Sequence, residues 1–314
     1  MTPQPASKPT FYFIGVSTTK SSIMRVFPAW AEALGLGDVA ICGIDLNVHD
    51  EPENYRRVVS FLKNDPLSLG ALVTTHKLDL LKACRDLFDE LDPHAQLTDE
   101  VSCLSKRDGR LFGHAKDPIT AGLSLEAFLP AGHWERTSAE VLVLGAGGAG
   151  LALTLYLRDD RHGANRPSRI HVTDCQASRL EEMEHVHRRS EGTGEIAYHQ
   201  TTSPEQTASL LASLPPGSLV VNATGLGKDG PGSPLPVDAV FPLDGLVWEF
   251  NYRGDLVFLE QAQARQNERR LQIEDGWIYF MHGWTRVIAE VFAVEIPTNG
   301  PEFDRLATIA AAAR

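Results

Sequence analysis

The chain has 314 residues, 43% of them hydrophobic, which is enough to bury two cores of ordinary size. Its formal net charge of −12 opposes a surface built to neutralise nucleic-acid phosphates or to lie on an anionic membrane. The sequence has no apolar signal segment near its start and no apolar run of the roughly 18 residues that a membrane span needs. We expect a cytoplasmic monomer or homodimer with a small-molecule substrate and no nucleic-acid or membrane partner.

Strands and helices alternate in the first part of the chain. By their β-branched and aromatic content, the predicted strands are "FYFIGVS", "VAICGIDLNV", "LGALVTT" and "RLFGHAKD". By the helical spacing of their apolar residues, the predicted helices are "SSIMRVFPAWAEALGLG", "YRRVVSFLKN" and "HKLDLLKACRDLFDEL". This alternation predicts an α/β domain with a mostly parallel sheet.

The character of the chain changes at about residue 136, and a glycine-rich turn follows in "AEVLVLGAGGAGLALTLYLRDD". Gly145, Gly147 and Gly150 fit the G-x-G-x-x-G pattern, which on its own also suits a plain strand-to-helix turn. Here a strand precedes it, a helix follows, and the next strand, "RIHVTD", ends at Asp174. An acidic residue there accepts from a ribose 2′-hydroxyl and repels a 2′-phosphate. The pattern predicts a Rossmann-type domain that binds NAD, with NADP as the less favoured cofactor.

Further strands, "GSLVVNAT" and "LDGLVWEF", extend the second sheet, and "GWIYFMHGWTRVIAEVFAV" is apolar on more than one face, as a buried helix would be. We predict a substrate domain at 1–132, a Rossmann domain at 133–276, and helices at 277–314 that return to the first domain. The four cysteines form no C-x-x-C pair, and the sequence has no H-E-x-x-H motif or Cys/His cluster. No metal site is expected.

Six motifs, taken in order, resemble those of the shikimate dehydrogenase family, which includes quinate dehydrogenases. The family patterns G-x-P-I-x-H-S-x-S-P, N-V-T-x-P-x-K and G-x-N-T-D-x-x-G are met by "GVSTTKSSIM", "ALVTTHK" and "GHAKDPITAG". The patterns G-A-G-G-A, N-A-T-P-x-G-M and D-G-x-x-M-L-x-x-Q are met by "GAGGAG", "NATGLGK" and "DGWIYFMHG". The resemblance covers most of the chain and implies a two-domain oxidoreductase that transfers hydride between a nicotinamide cofactor and a hydroxyl or ketone.

The resemblance implies a catalytic pair. In such enzymes a lysine and an aspartate flank the reacting oxygen, and these positions fall on Lys77 and Asp117. Alternatively, Lys77 is the solvated end of a strand and Asp117 is a turn or cap residue before Pro118. Both residue types are retained at matched motif positions, which favours the catalytic interpretation.

The resemblance also implies a set of cofactor contacts, which comprises the glycine turn, the acidic residue and three later segments. These residues are Gly145, Ala146, Gly147, Gly148, Ala149, Gly150, Asp174, Asn222, Ala223, Thr224, Gly225, Val247 and Gly276.

The positions that hold shikimate in the family are altered. Ser21 is retained but the second serine is Ile23, and Ala71 and Val73 stand where the family has asparagine and threonine. A site built to hydrogen-bond its substrate rejects analogues that leave its polar groups unpaired, so losing those groups predicts an altered substrate.

Several residues are candidate replacements for the lost substrate contacts. We expect substrate contacts from the retained Ser21, from Lys20 and Thr74, and from Ser102 and His282, which are taken to stand where the family has an asparagine and its late glutamine. Lys20 and Arg25 could grip an anion or be plain surface charges, and His282, His76 and His114 could bind substrate or be buried structural histidines. The predicted function is an NAD-preferring dehydrogenase for a cyclic polyol acid related to shikimate or quinate. The alternative is a non-catalytic, nucleotide-binding regulatory relative.

Overall fold

The computed structural model describes residues 4–228 and 230–313, which belong to two compact units. The first unit combines Met1–Lys116 with Met281–Arg314, and the second is Asp117–Phe280. The domain limits predicted from the sequence, after residues 132 and 276, stay a prediction.

Within the described residues, twelve strands alternate with helices. The strands are β1 (Thr10–Gly15), β2 (Ala40–Asp45), β3 (Ser68–Val73), β4 (Glu90–Leu91), β5 (Cys103–Arg107), β6 (Arg110–His114), β7 (Val141–Leu144), β8 (Ile170–Asp174), β9 (Ile196–Gln200), β10 (Leu219–Asn222), β11 (Leu246–Glu249) and β12 (Gln272–Glu274). The α-helices are α1 (Ile23–Ala33), α2 (Pro52–Asn64), α3 (Lys77–Cys84), α4 (Pro93–Thr98), α5 (Asp117–Glu126), α6 (His133–Thr137), α7 (Gly148–Leu157), α8 (Ala177–Arg189), α9 (Pro204–Ser213), α10 (Val257–Arg269), α11 (Trp277–Phe292) and α12 (Pro301–Ala311). This content confirms the predicted α/β class.

The sheet of the first unit has the order β2-β1-β3-β5-β6-β4. Strands β1, β2 and β3 are parallel, whereas β5 runs antiparallel to both β3 and β6. The β5–β6 hairpin turns at Asp108 and Gly109, whose φ angles are 52° and 76°. Two positive φ angles define the tight turn that joins antiparallel strands, and "DG" is its usual sequence. The sequence therefore carried a hairpin signal beside the predicted "RLFGHAKD" strand.

The third predicted helix is shorter than expected. The helix "HKLDLLKACRDLFDEL" was predicted to continue to Leu91, whereas α3 ends at Cys84 and is followed by a short 3-10 turn and strand β4. Asp89 explains the change, since its Oδ2 accepts hydrogen bonds from the Leu111 backbone N–H (2.7 Å) and from Lys63 Nζ (2.9 Å). These bonds hold the segment beside β6, where it pairs as a strand instead of continuing the helix.

The final residues pack on the first unit, as predicted. The ring of Trp284 lies edge-on to Phe13 (5.0 Å between centroids) and Phe11 (6.2 Å). In addition, the Trp30 indole N–H donates to the Leu306 carbonyl at 2.9 Å. These contacts join α11 and α12 to the core beneath β1.

The sheet of the second unit is wholly parallel, with the order β12-β11-β10-β7-β8-β9. This is the doubly wound order, in which β8 and β9 are added on one side of β7 and β10 to β12 on its other side. Ligands of such sheets bind beyond the carboxyl ends of the strands, at the point where the strand order reverses. Strands β7, β10 and β11 are buried throughout, as expected of central parallel strands covered on both faces. Edge strands β9 and β12 were not predicted because they are mostly half-buried and partly polar in sequence.

In the part of the chain that the structure describes, no helix combines the length and the apolar character that crossing a bilayer requires. Cys84 and Cys103 are buried thiols, whereas Cys42 and Cys175 are exposed.

Candidate functional site

The glycine turn between β7 and α7 requires its glycines for two different reasons. Gly145 has a φ of 104°, and a Cβ on it would lie 3.0 Å from the backbone of Ala223. A Cβ on Gly150 would lie 2.4 Å from the Gly145 carbonyl oxygen. The first glycine therefore permits the turn and the approach of the 223 segment, and the last permits α7 to pack on the strand.

Asp174, at the end of β8, supports this turn. Its Oδ2 accepts a hydrogen bond from the Ala146 N–H and its Oδ1 accepts one from the Gln176 N–H, both at 2.9 Å. An ionised carboxylate has about four acceptor positions, so each oxygen retains capacity for a ribose hydroxyl. Asp174 thus has a structural role in addition to the predicted role in cofactor binding.

A cavity of about 500 Å³ opens beside the turn, wholly within the second unit. Six of the predicted cofactor residues line it: Gly145, Gly147, Asp174, Ala223, Thr224 and Gly225. The volume lies within the range of about 300–1,000 Å³ that is usual for small-molecule sites. The first turn of α7 begins here, and the N–H groups of a first turn lack partners within their helix and favour anionic groups.

The other predicted cofactor residues do not line this cavity. Ala146 and Gly148–Gly150 form the turn and the start of α7, and Val247 is wholly buried in the core on one face of the sheet. A Cβ on Gly276 would lie 2.1 Å from the Phe250 carbonyl oxygen, so this glycine allows two backbone segments to touch. Asn222 is buried beneath the cavity-lining loop.

Some cavity residues were missed by the sequence reasoning. Those from the end of β8 to the first turn of α8, and from the segment after β9, are Thr173, Cys175, Gln176, Arg179, Thr201, Thr202, Ser203, Pro204 and Thr207. Arg179 could have been found, because it lies in the first turn of the helix that follows Asp174. Arg179 therefore places a positive charge in the same cavity as the negatively charged Asp174 carboxylate.

A buried carboxylate, Glu249, was also missed. It is the last residue of β11 and pairs with Asn222, the last residue of β10. Burial raises the pKa of Glu249 to about 7, against the opposing effect of hydrogen bonds from Asn251 and Asn222. Ionised and neutral forms of this group are therefore both accessible near neutral pH.

Asp117, one of the predicted catalytic residues, begins α5 in the second unit. Helix α5 packs closely on α7, since a Cβ on Gly122 would lie 2.2 Å from the ring of Tyr156. The Tyr156 hydroxyl also donates a short hydrogen bond to Glu126. Asp117 therefore begins a helix, α5, that packs against α7, the helix that follows the glycine turn.

Lys77, the other predicted catalytic residue, begins α3 in the first unit. The preceding chain makes a tight three-residue turn, closed by the His76 N–H, which donates to the Thr74 carbonyl at 2.6 Å. Thr75, at its centre, has a φ of 64°, which is unusual for a β-branched residue. His76 is buried, hydrogen-bonds the Tyr55 hydroxyl at 3.2 Å, and has its pKa lowered by burial. The loop "TTHK" is thus strained and anchored where it leads into Lys77.

The predicted substrate residues of the first unit differ widely in environment. Lys20 is exposed, whereas Ser21 and Thr74 are half-buried. Ser102 is 3% exposed, and its hydroxyl accepts a hydrogen bond from the Lys116 N–H at 2.8 Å, so it holds the backbone just before Asp117. The altered positions Ile23, Ala71 and Val73 are buried core residues.

His282 has a ring that stacks on Phe303 with 4.7 Å between centroids. It is 1% exposed, its Nδ1 has no hydrogen-bond partner among the described residues, and burial lowers its pKa to about 4. These features favour the alternative of a buried histidine on an apolar helix. Counted from Asp275, the last position of D-G-x-x-M-L-x-x-Q falls on Gly283, where a Cβ would have no atom within 4 Å.

Arg25 and His114 also have structural partners. The Arg25 guanidinium donates to the Ala313 carbonyl at 2.8 and 3.1 Å. His114 lies between Ser105, 2.9 Å from its Nε2, and the carboxylates of Asp92 and Glu290, at 3.7 and 3.6 Å. Glu290 in turn receives hydrogen bonds from Lys116 and Arg107, both at 2.8 Å. This cluster ties α11 to the β5–β6 hairpin.

Comparison with known proteins gave the following similarities. No protein-family model matches the chain. The shikimate dehydrogenase (NADP(+)) of Methylocella silvestris is 30% identical over 305 residues, which cover 96% of this chain and 96% of that protein. The enzyme of the same name from Streptococcus thermophilus is 31% identical over 182 residues, covering 57% of this chain and only 59% of that protein.

Two solved structures show the same fold. Quinate dehydrogenase from Corynebacterium glutamicum in complex with NAD has a TM-score of 0.74 at 20% identity, covering 97% of this chain and 99% of that one. Shikimate 5-dehydrogenase from Thermus thermophilus in complex with NADP(H) and shikimate has a TM-score of 0.71 at 20% identity, with the same coverage.

Proposed function

Because this chain belongs to the shikimate dehydrogenase family, we propose that it is a nicotinamide-dependent dehydrogenase acting on the CH–OH group of a cyclic polyol acid. The substrate is related to shikimate or quinate, and NAD is the preferred cofactor. The observation that carries this proposal is the cavity beside the glycine turn, lined by Gly145, Asp174 and Thr224.

The residues of the second unit fit a dinucleotide. Gly145 and Gly147 leave the backbone open to a pyrophosphate, and the start of α7 favours its negative charge. Asp174 would accept from the hydroxyls of the adenosine ribose. When bound, the nicotinamide ring supplies or accepts the hydride.

The preference for NAD is inferred from the charge of Asp174. A carboxylate at the end of β8 repels a 2′-phosphate, whereas Arg179 in the same cavity would attract one. Asp174 also accepts hydrogen bonds from two backbone N–H groups, which fix its carboxylate in place, whereas Arg179 is exposed. The fixed charge should dominate, even though the curated relatives are named for NADP.

Lys77 and Asp117 carry the proton chemistry in this proposal. A protonated Lys77 donates to the oxygen of a ketone during reduction, and the neutral amine accepts the hydroxyl proton during oxidation. Asp117 accepts a hydrogen bond from the substrate hydroxyl and so orients it.

The substrate is proposed to differ from shikimate itself. Ile23, Ala71 and Val73 are buried apolar residues at positions where the family has polar groups. Each missing polar contact weakens binding by roughly 0.5–1.5 kcal/mol. Ser21, Lys20 and Thr74 remain as candidate contacts to an altered acid.

Steady-state kinetics with a panel of cyclic hydroxy acids, each tested with NAD and with NADP, tests the proposal. We expect turnover of at least one panel member, with NAD preferred and shikimate inferior to the best compound. Dinucleotide binding without turnover of any member would support the non-catalytic regulatory alternative. Efficient turnover of shikimate would show that the altered positions had been compensated.

A further inference from the structure

The cavity-lining loop Ala223–Leu226 is supported from below by two buried polar residues. Asn222 and Glu249 end the neighbouring parallel strands β10 and β11, at the sheet edge where doubly wound proteins bind ligands. Both side chains are 0% exposed. A buried carboxylate costs free energy unless its hydrogen bonds are satisfied, so its partners indicate what it does.

Every hydrogen bond to the Glu249 carboxylate that the structure describes comes from a nitrogen donor. Its Oε2 accepts from Asn222 Nδ2 at 2.6 Å, and its Oε1 accepts from the N–H and the Nδ2 of Asn251, both at 2.8 Å. An ionised carboxylate only accepts, whereas a neutral carboxyl must donate one hydrogen bond. The surroundings are therefore matched to the ionised form.

The Asn222 amide connects this carboxylate to the loop. Its Oδ1 accepts from the Thr224 N–H at 3.1 Å and from the Thr224 hydroxyl at 2.6 Å. Because Glu249 requires the NH₂ group of Asn222, the amide oxygen has to face Thr224. If the amide rotated, its NH₂ group would face the Thr224 N–H, and two donors would oppose each other.

Asn251 provides a second connection between the Glu249 carboxylate and the loop. Its Nδ2 lies 3.2 Å from the Thr224 carbonyl oxygen, and its backbone carbonyl accepts a hydrogen bond from the Gly276 N–H at 3.2 Å. The same carboxylate therefore holds the loop and the backbone just before α11.

We propose that Glu249 is a positioning residue of the cofactor site, whose ionised carboxylate fixes the loop Ala223–Leu226 in the conformation that binds the dinucleotide. The inference rests on the proposed function, since the loop is taken to contact a nicotinamide dinucleotide. Protonation of Glu249 would place a donor opposite either the Asn222 NH₂ group or the donors of Asn251, so one of the two side chains that connect the carboxylate to Thr224 would have to move. An isosteric glutamine would have the same effect. Lys228 is the charged group that acts on Glu249, and it favours the ionised form.

The test compares Glu249→Gln with the unchanged protein and with Glu195→Gln. Glu195 pairs with Arg169 on the surface, at the opposite end of the strands, and provides the matched loss of one charge. The Kd for NAD is measured by calorimetry from about pH 6 to about pH 9. NAD is used because, unlike NADP, it carries no phosphate monoester with a pKa of about 6.

We expect the Kd of the unchanged protein to rise as pH falls through about 7, the pKa to which burial raises Glu249. Glu249→Gln should bind roughly five- to tenfold more weakly than the unchanged protein at the alkaline end and show no pH dependence. Glu195→Gln should follow the unchanged protein at every pH.

The possible failures are distinguishable. If the unchanged protein binds NAD with a Kd independent of pH, or if Glu249→Gln reproduces its profile, the role of Glu249 is wrong and the proposed function stands. If the unchanged protein binds neither NAD nor NADP at any pH, the proposed function itself is wrong. The profile of the unchanged protein remains a test even if Glu249→Gln does not fold.

Discussion

The second unit gathers predicted cofactor residues around one cavity, whereas the first unit divides its predicted substrate residues between buried and exposed environments. Gly145, Asp174 and Thr224 line the cavity, but Ser102 and His282 are buried while Lys20 is exposed. A dinucleotide site depends on backbone conformation, which tolerates few residue types. A substrate site depends on side chains, which can be exchanged without changing the fold. The two units thus retain different amounts of their family's pattern.

The largest expected effect is in the first unit, at Lys77. Lys77→Ala should lower kcat by roughly 10²–10⁴-fold, as removal of a general acid or base usually does, and leave the Kd for NAD unchanged. Lys82→Ala, an exposed residue of the same helix α3, is the matched control and should have near-normal kcat. If Lys77→Ala retains normal turnover on the best substrate, Lys77 is not the general acid or base and the assigned mechanism is wrong.

Acid stability should depend on buried histidines in both units, and most strongly on His187 and His282. Burial lowers the pKa of His187 in the second unit to about 3 and that of His282 in the first to about 4. The unfolded chain binds these protons below about pH 6.5, so the free energy of unfolding should fall with pH by about 1.4 kcal/mol per unit per histidine until the folded pKa is reached.

Urea unfolding between about pH 6 and pH 4 measures this slope. His187→Gln should reduce the slope even if it lowers stability overall, because a glutamine side chain does not titrate. His185→Gln, which removes an exposed histidine of the same helix α8, is the control. Equal slopes for the unchanged protein and His187→Gln would show that His187 titrates alike in both states.

Cofactor choice should respond to Asp174 in the second unit. Asp174→Asn removes the repelling charge and leaves Arg179 in the cavity, so we expect affinity for NADP relative to NAD to rise about tenfold, or about 1.4 kcal/mol. Titration with both cofactors measures the ratio. Adding Arg179→Ala should reverse the gain. An unchanged ratio in Asp174→Asn would contradict the proposed origin of the preference.

The smallest effect is expected at Gly283 in the first unit. Open space surrounds its missing Cβ, so Gly283→Gln should fit and add an amide at the last position of the motif. Activity on shikimate should rise roughly two- to tenfold, the equivalent of one hydrogen bond. Gly283→Ala controls for the backbone change and should leave kcat/KM for shikimate as it was. A decrease in Gly283→Gln alone would indicate that this face of α11 does not meet the substrate.

The parts of the fold that the sequence predicted are those with a strong local signal. Strand β7, the glycine turn and α7 follow from an apolar run, two required glycines and a helix that is apolar rather than amphipathic. Strands β9 and β12 lacked such a signal because edge strands are half-solvated and carry polar residues. The early end of α3 depended on Asp89 meeting Leu111, a contact between distant residues.

The candidate site divides in the same way. Asp174 was predictable because it ends the strand that follows the glycine turn, which is a recognised position for a ribose-binding carboxylate. Glu249 also ends a strand, but no such motif marks it, and its role depends on hydrogen bonds from Asn222 and Asn251 that only the structure reveals. His282 was assigned to the substrate because it was taken to stand where the family has its late glutamine, a position that falls by count on Gly283. The burial of His282 against Phe303 is a consequence of packing by α12, which periodicity alone does not reveal.

The turn at Thr75 has a consequence for engineering. A β-branched residue with a φ of 64° costs of the order of 1–3 kcal/mol, which glycine would largely avoid. A library of variants selected only for thermal stability would therefore be drawn to glycine at position 75. Glycine at this position would also make the segment between β3 and Lys77 less rigid. The most heat-resistant variants should therefore be among the less active ones.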